Sequence, residues 1–216
     1  MSNMYPEVKT WNPLGGECPH DCEYCYREDL MRFPANKKKY SGEPRHYKDH
    51  LPKTDKTVFV CSMADLFAED IQPELITSIL NICCEVPNTY LLQTKNPGRI
   101  HNFIEFLPPK VILGTTIETN RQGSYKSNAP SIRERALGLH ALGLPKMVSI
   151  EPILDFAVPD LLEIIMYVDP AYVSIGADSK RNNLPEPPAE KVWKLISELR
   201  TFTEVRTKSN LGRLLK

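Results

Sequence analysis

The sequence predicts an α/β protein built as a partial (βα)6-type TIM barrel. Short apolar, β-rich segments alternate with longer segments that repeat apolar residues every three or four positions, which is typical of βαβ units. Most of the apolar segments are continuous, as expected for parallel strands buried on both faces. The 216 residues are too few for a complete barrel of about 250 residues, but they accommodate about six units. A doubly wound, flavodoxin-like sheet is the alternative architecture.

Seven segments are predicted as strands, and five helices lie between them. Several helices begin with a proline near the first turn, where its missing N–H costs nothing. In the last helix, Val192, Leu195, Ile196 and Leu199 recur at helical spacing. The predicted strands are 8–11, 57–62, 89–94, 111–116, 146–150, 171–176 and 204–207. The predicted helices are 73–86, 98–106, 131–142, 158–168 and 188–200.

Charge and hydropathy narrow the class of protein. Lys+Arg and Asp+Glu both total 27, so a protein that coats nucleic acid by bulk charge is not expected. There is no apolar run near the roughly 18 residues of a membrane span, and the first residues lack the pattern of a signal peptide. We therefore expect a soluble, cytoplasmic chain with one domain, 1–216, and no membrane contact.

One stretch, at about 27–56, is expected to be a basic loop inserted into this domain. It holds nine Lys and Arg residues against five Asp and Glu residues. Such a run is normally a solvated surface. The alternative is contact with phosphate or nucleic acid, because Phe33, Tyr40 and Tyr47 are interleaved with the cations and offer rings on which bases stack.

Three of the six cysteines form a cluster directly after the first predicted strand. Cys18, Cys22 and Cys25 have the spacing C-x3-C-x2-C. Three thiolates on one loop can bind three irons of a cubane cluster and leave the fourth iron open to a small molecule. Zinc is the alternative, with His20 as a fourth ligand, but structural zinc sites typically use two pairs of ligands and a second C-x-x-C is lacking. Unligated thiols are a third alternative.

The other cysteines are expected to be small buried hydrophobic residues. Cys61 lies in a predicted strand, and Cys83 and Cys84 lie on a predicted helix. Cys61, near the end of its strand, has the alternative of approaching the site.

The C-x3-C-x-aromatic-C motif after the first strand of a partial barrel resembles the radical S-adenosylmethionine (SAM) superfamily. The resemblance implies that Cys18, Cys22 and Cys25 hold a 4Fe–4S cluster, that Tyr24 lies near the SAM adenine, and that SAM chelates the fourth iron. It also implies reductive cleavage of SAM to a 5′-deoxyadenosyl radical, which abstracts hydrogen from a substrate. An electron donor such as flavodoxin or ferredoxin is then needed.

Later segments extend the resemblance over nearly the whole chain, from about Trp11 to about Arg213. In order, they are VFVCSMADLF, LLQTKNP, GTTIETN, SIEPIL, YVSIGAD and TKSNLG. These segments are similar to a radical-SAM-like family of unknown function that was first named from phage proteins and is distantly akin to spore photoproduct lyase. A nucleic-acid or nucleotide substrate is suggested by that kinship and by the basic segment, while a peptide or a small metabolite is equally permitted.

The resemblance implies SAM contacts after the second and third strands. The superfamily often has a Gly-Gly-Glu turn that holds the SAM amino group, and this chain has the turn Ser62-Met63-Ala64-Asp65 instead. Ser62 and Asp65 are therefore candidates, with Asp65 replacing the glutamate. Lys95 is a candidate partner for the SAM carboxylate through a charge-assisted hydrogen bond.

Further candidates follow the fourth, fifth and sixth strands. Thr116 and Glu118 fit the place where polar side chains bind the ribose or the methionine end of SAM. Glu151 faces SAM or substrate, or is a buried carboxylate that ties the end of the barrel to a lysine. Gly176 allows backbone to approach the adenine closely.

Three classes of function follow. The first is a radical SAM enzyme. The second is a non-catalytic iron–sulfur or SAM-binding sensor or accessory protein. The third, a zinc-dependent nucleic-acid binder, is disfavoured by the net charge of zero and by the missing fourth ligand.

Overall fold

The computed structural model describes residues 8–180 and 182–216. Within them, seven strands form one parallel sheet, and each of these strands pairs with the one that follows it along the chain within the sheet. Their bounds are β1 Val8–Trp11, β4 Thr57–Val60, β5 Thr89–Gln93, β6 Val111–Thr116, β7 Lys146–Ile150, β8 Tyr172–Ile175 and β9 Glu204–Thr207. The sheet curls into a half-barrel, so the partial barrel is confirmed and the flavodoxin-like alternative is wrong. The sheet has seven strands, one more than the six predicted βα units require.

Helices connect these parallel strands. They are α3 Pro73–Glu85, α4 Ile132–His140, α5 Val158–Val168 and α6 Ala189–Leu199. The prediction for 98–106 differs in type, because Pro97–Phe106 is a 3₁₀ helix. Helix α4 begins at a capping box in which Ser131 and Glu134 satisfy each other's backbone N–H groups. None of the helices in the described part of the chain is long and apolar enough to cross a membrane.

The two faces of the sheet have different chemistry. One face packs against the helices and forms the main hydrophobic core. On the concave face, Phe59, Leu91, Met147 and Tyr172 form a smaller apolar cluster near the beginning of the strands. Because side chains alternate between faces along a strand, the concave face becomes polar toward the carboxyl ends of the strands, at Gln93, Thr116, Ser149 and Ser174. This gradient places the polar site at the carboxyl ends.

The basic segment 27–56 contains more regular structure than a loop. It includes the short helices α1 Arg27–Leu30 and α2 Pro34–Lys39, and β3 Arg45–His46 pairs antiparallel with β2 Leu14–Gly15. The Arg45 guanidinium donates hydrogen bonds to the carbonyl groups of Lys38 and Lys39 and so binds the end of α2. The division into one domain stays a prediction, and residues 1–7 of the N-terminal stretch lie outside the described residues.

Candidate functional site

The cysteine loop (residues 18–25) follows β2 and lies beside the carboxyl end of the sheet. A turn in which the Cys25 N–H donates to the Cys22 carbonyl shapes it. The Gly16 and Glu17 N–H groups donate to the carbonyls of Lys39 and Gly42, so the basic segment holds the chain where it enters the loop. All three thiols are half-buried, and Cys18 lies close enough to Cys22 and Cys25 for their charges to interact.

Two of the three sulfurs accept hydrogen bonds from the backbone. The His20 N–H donates to Cys18, and the Arg27 N–H donates to Cys25. Burial nevertheless raises the pKa of the Cys18 thiol to about 12, and it also raises the pKa of Cys25. In the absence of a metal these two thiols are therefore protonated at neutral pH, unlike the low-pKa thiolates of nucleophilic cysteines.

His20 and Asp65 form a buried pair beside this loop. The His20 Nε2 lies 2.8 Å from the Asp65 Oδ2. The Asp65 carboxylate also accepts hydrogen bonds from the N–H groups of Phe67 and Lys95, at 3.0 and 2.7 Å. Burial alone would raise the pKa of Asp65, but the His20 hydrogen bond and charge lower it. The His20 Nε2 is therefore engaged by Asp65 and is not free to bind zinc.

The three thiols fit the donor set of an iron–sulfur cluster. Among the described residues there is no group of three or more His, Cys, Asp or Glu side chains arranged around one ion. In a cubane cluster each thiolate binds a different iron, so its three sulfurs need not converge on one point. Hydrogen bonds to the sulfurs, as seen at Cys18 and Cys25, are also typical of cluster ligands.

A second segment, residues 124–130 between β6 and α4, runs along the cysteine loop. The Glu23 N–H donates to the Lys126 carbonyl, and the Asn128 N–H donates to the His20 carbonyl. The Ser127 Oγ lies 3.1 Å from the Cys22 Sγ. These contacts join the loop after β6 to the cysteine loop.

Glu118 is the centre of a buried polar network. Its carboxylate is 0% exposed and contacts two cations: the Arg135 Nη1 at 2.9 Å and the Lys95 Nζ at 3.3 Å. The hydroxyls of Tyr24 and Tyr125 also donate to it. Burial alone would raise the pKa of Glu118, but Lys95 and Arg135, with the two hydroxyls, lower it to about 2. Glu118 is therefore a carboxylate at neutral pH.

Tyr24 connects this network with the cysteine loop. Burial, with the charge of Glu118, raises the pKa of Tyr24 well above its ordinary value, so the hydroxyl keeps its proton and donates it. The Lys95 Nζ lies 5.2 Å from the centre of the Tyr24 ring. The Tyr24 and Tyr125 rings meet edge to face, with centroids 5.1 Å apart. The structure thus brings together the predicted residues Tyr24, Lys95 and Glu118.

Thr116 and Ser62 have partners within the protein. The Gln93 Nε2 donates to the Thr116 Oγ1 at 3.2 Å, and the Gln93 Oε1 is buried without a partner among the described residues. The Ser62 hydroxyl donates to the Asn12 Oδ1 at 3.1 Å, while the Ser62 carbonyl accepts a hydrogen bond from Tyr26.

Glu151 is bound to the end of the neighbouring strands. Its carboxylate pairs with the Lys208 ammonium and accepts a hydrogen bond from Ser174 at 2.8 Å. Burial raises the pKa of Glu151 in spite of the nearby Lys208. A Cβ at Gly176 would lie 3.1 Å from the Glu151 Oε2 and 3.2 Å from the Asn210 Oδ1. The pairing of Glu151 with Lys208 agrees with the alternative in which Glu151 ties the end of the barrel to a lysine.

Several residues of the site were not found from the sequence. Arg135 is one for which a signal exists, because it lies among the apolar positions Ile132, Ala136 and Leu139 of α4, and an arginine on a buried helix face requires a partner. Ser127 lies in a polar segment that shows no such pattern. Of the remaining thiols, Cys61 and Cys83 are buried as predicted, whereas Cys84 is exposed.

A family model described as "Protein of unknown function (DUF5131)" matches residues 5–193. The chain belongs to this family. Its description carries neither an activity nor the phage-derived name expected from the sequence. No curated protein matches the chain.

Solved structures share the fold. A doubly substituted spore photoproduct lyase with bound AdoMet and dinucleoside spore photoproduct has a TM-score of 0.65 and 11% identity, covering 91% of this chain and 74% of the lyase chain. A singly substituted variant of that lyase has a TM-score of 0.64 and 10% identity, and the match covers 90% of this chain and 74% of the lyase chain. Streptococcus suis SuiB bound to S-adenosylmethionine gives 0.61 and 10%, covering 95% of this chain but 48% of SuiB. At such identities the likeness establishes the fold alone, a partial parallel barrel.

Proposed function

We propose that this chain is a radical SAM enzyme in which Cys18, Cys22 and Cys25 hold a 4Fe–4S cluster. The observation that carries this proposal is the position of three thiols on one loop at the polar end of a partial parallel barrel, beside a buried network of charges. Such a cluster, held by these cysteines and reduced, would supply one electron to SAM bound beside it, and the S–C5′ bond would break to give methionine and a 5′-deoxyadenosyl radical that takes a hydrogen atom from a substrate.

The buried network positions the residues that would face SAM. Lys95 is the proposed partner of the SAM carboxylate, and its side chain is partly exposed. If Lys95 turns to SAM, Glu118 keeps its charge because Arg135 still donates to both of its oxygens. Glu118 and Thr116 are buried, so we assign them the role of holding Tyr24 and Lys95 in place, with the polar end of SAM above them.

Four further candidates flank this position. Glu151, held by Lys208, and Gly176 lie together at the ends of β7 and β8, where backbone would approach the adenine. Ser62 lies after β4, and its carbonyl is tied to Tyr26, next to Cys25. Asp65 is buried and fully bonded, so its proposed contribution to SAM binding is to fix the Lys95 backbone and His20.

A nucleic-acid or nucleotide substrate is our proposal for the substrate class. One structural neighbour has a bound dinucleoside spore photoproduct. In addition, Lys37 and Lys38 on α2 are exposed, as is Phe33, and α2 is attached to the chain that enters the cysteine loop. The kinship with the phage-named family rests on the sequence segments and stays part of this proposal. Reduction calls for a donor such as flavodoxin or ferredoxin, in the cytoplasm.

The test is anaerobic reconstitution with iron and sulfide. We expect about four irons per chain, a reducible cluster, and 5′-deoxyadenosine when SAM and dithionite are added. Cys22→Ala should lose the cluster and the product, whereas Cys84→Ala, an exposed thiol on α3, should retain both. A complete cluster that does not cleave SAM would contradict the proposal and favour the sensor or accessory protein. Zinc in the metal analysis would contradict both.

A further inference from the structure

The three cysteines of the loop differ in their hydrogen bonds. Cys18 and Cys25 accept from backbone N–H groups. Cys22 lies instead beside a side chain, the Ser127 hydroxyl, with 3.1 Å between Oγ and Sγ. In the described part of the chain, Ser127 is the one side chain with a hydrogen-bonding contact to these three sulfurs that the structure records. This contact comes from a segment distant in sequence, between β6 and α4.

In the thiol form, every hydrogen-bonding position of the Ser127 hydroxyl is used. Its proton is donated to the His20 carbonyl at 3.1 Å. Its oxygen accepts the Ala129 N–H at 3.2 Å and also contacts the Cys22 thiol, a pair in which either atom can be the donor. The Cys22 thiol has a second, longer contact of 3.9 Å with the His20 carbonyl. A hydroxyl has one proton to donate and two lone pairs to accept, so the arrangement is complete.

Ligation of the cluster by the Cys22 sulfur would change this arrangement in a defined way. A thiolate has no proton to donate, and it is a stronger acceptor than a carbonyl because it is charged. The Ser127 hydroxyl would therefore rotate its proton from the His20 carbonyl to the Cys22 sulfur. The His20 carbonyl still accepts the Asn128 N–H at 2.7 Å, so the rotation leaves no buried acceptor unsatisfied.

We propose that Ser127 is a positioning residue that donates a hydrogen bond to the Cys22 thiolate in the cluster-loaded protein and raises the reduction potential of the cluster. Reduction adds one electron to the cluster, and part of the added negative charge resides on the ligating sulfurs. A donor to one of these sulfurs stabilises the reduced form more than the oxidised form. The inference rests on the proposed function, because it requires that Cys22 ligates the cluster.

The test is a redox titration of the reconstituted protein with dithionite and mediators, followed by electron paramagnetic resonance of the reduced cluster. We expect Ser127→Ala to lower the equilibrium constant for one-electron reduction about tenfold, a shift of about 59 mV to more negative potential. Ser127→Thr keeps the hydroxyl and should restore the wild-type potential. The matched control is Ser124→Ala, because the Ser124 hydroxyl in the same segment donates to the Arg121 carbonyl.

The possible results separate this inference from the proposed function. A wild-type protein that binds no iron would overturn the proposed function itself. A fully loaded Ser127→Ala protein with the wild-type potential would overturn the role of Ser127 alone. If Ser127→Ala assembles no cluster, Ser127→Thr decides: a loaded threonine variant at the wild-type potential supports the role of the hydroxyl, and one that also fails to load overturns it.

Discussion

Removal of the Arg135 side chain should destabilise the protein strongly, because the buried Glu118 carboxylate then loses its shortest ion pair. Arg135 is 2% exposed and donates to both Glu118 oxygens, to the Thr116 and Pro130 carbonyls, and to the Tyr125 hydroxyl. In Arg135→Ala, Lys95 is the cation that remains beside the buried carboxylate. The substitution therefore leaves a buried charge that is only partly compensated.

The size of the effect follows from the environment of Glu118. Its pKa falls from 4.5 to about 2 although burial alone would raise it. At about 1.36 kcal/mol for each pKa unit, the surroundings favour the carboxylate by about 3 kcal/mol beyond the cost of burial. Removing one partner of a buried ion pair typically costs about 3–5 kcal/mol. We expect Arg135→Ala to lower the free energy of unfolding by about 3 kcal/mol, since Lys95 keeps part of the compensation.

Urea denaturation followed by circular dichroism and tryptophan fluorescence measures this loss. With a slope of about 2–3 kcal/mol per molar urea, the midpoint should fall by about 1 M. The matched control is Arg133→Ala, an exposed arginine on the same helix, which should stay within about 0.5 kcal/mol of wild type. If Arg135→Ala and Arg133→Ala have the same midpoint, the account of Glu118 as a buried and compensated charge is refuted.

Three further predictions concern acid stability, packing and the His20 pair. The pKa of Glu118 in the folded state, about 2, lies below its ordinary value of 4.5. Its contribution to the free energy of unfolding is therefore complete above about pH 4.5 and is lost as the pH falls toward 2. Glu118→Gln should remove this part of the pH dependence of the free energy of unfolding. Gly138→Ala should cost about 1–3 kcal/mol in urea denaturation, because the new Cβ would lie 2.6 Å from the Gly98 backbone nitrogen, whereas Gly143→Ala meets nothing within 4 Å and should be nearly neutral. His20→Ala should cost about 1–3 kcal/mol, because it removes one of the two side-chain donors, His20 and Thr94, of the buried Asp65 carboxylate. A Tm equal to that of wild type would contradict this reading.

Much of the fold was accessible to sequence reasoning because the inner strands of its sheet are buried on both faces. Runs such as VILGTT of β6 and KMVSI of β7 leave few alternatives to a parallel strand, and β1, β6, β7 and β9 begin and end where predicted. The regular structure in the basic segment was missed for a physical reason. The sequence PANKKK of α2 has no apolar face, and β3 is only two residues long, so neither produces a periodic pattern.

The site was predictable as a location but not as a set of contacts. The resemblance to the radical SAM superfamily selected Tyr24, Lys95 and Glu118 from separate loops. Their partners are set by tertiary packing. Arg135 contacts Glu118 from helix α4, and no local sequence pattern around either residue indicates this ion pair. Asp65 was expected to face SAM, yet its oxygens are bound to His20 and to backbone N–H groups, which a motif comparison does not reveal.

The hydrogen bonds between the cysteine loop and residues 124–130 also have a consequence for local unfolding. The Glu23 and Asn128 amides are each bonded across the two segments, so neither exchanges its hydrogen with solvent until the segments separate. The two amides should therefore exchange at a common rate, as one cooperative opening unit. A ligand held by the cysteine loop binds only the closed form and slows that opening by mass action. Hydrogen exchange at these two amides thus provides a binding isotherm that needs neither turnover nor a known substrate.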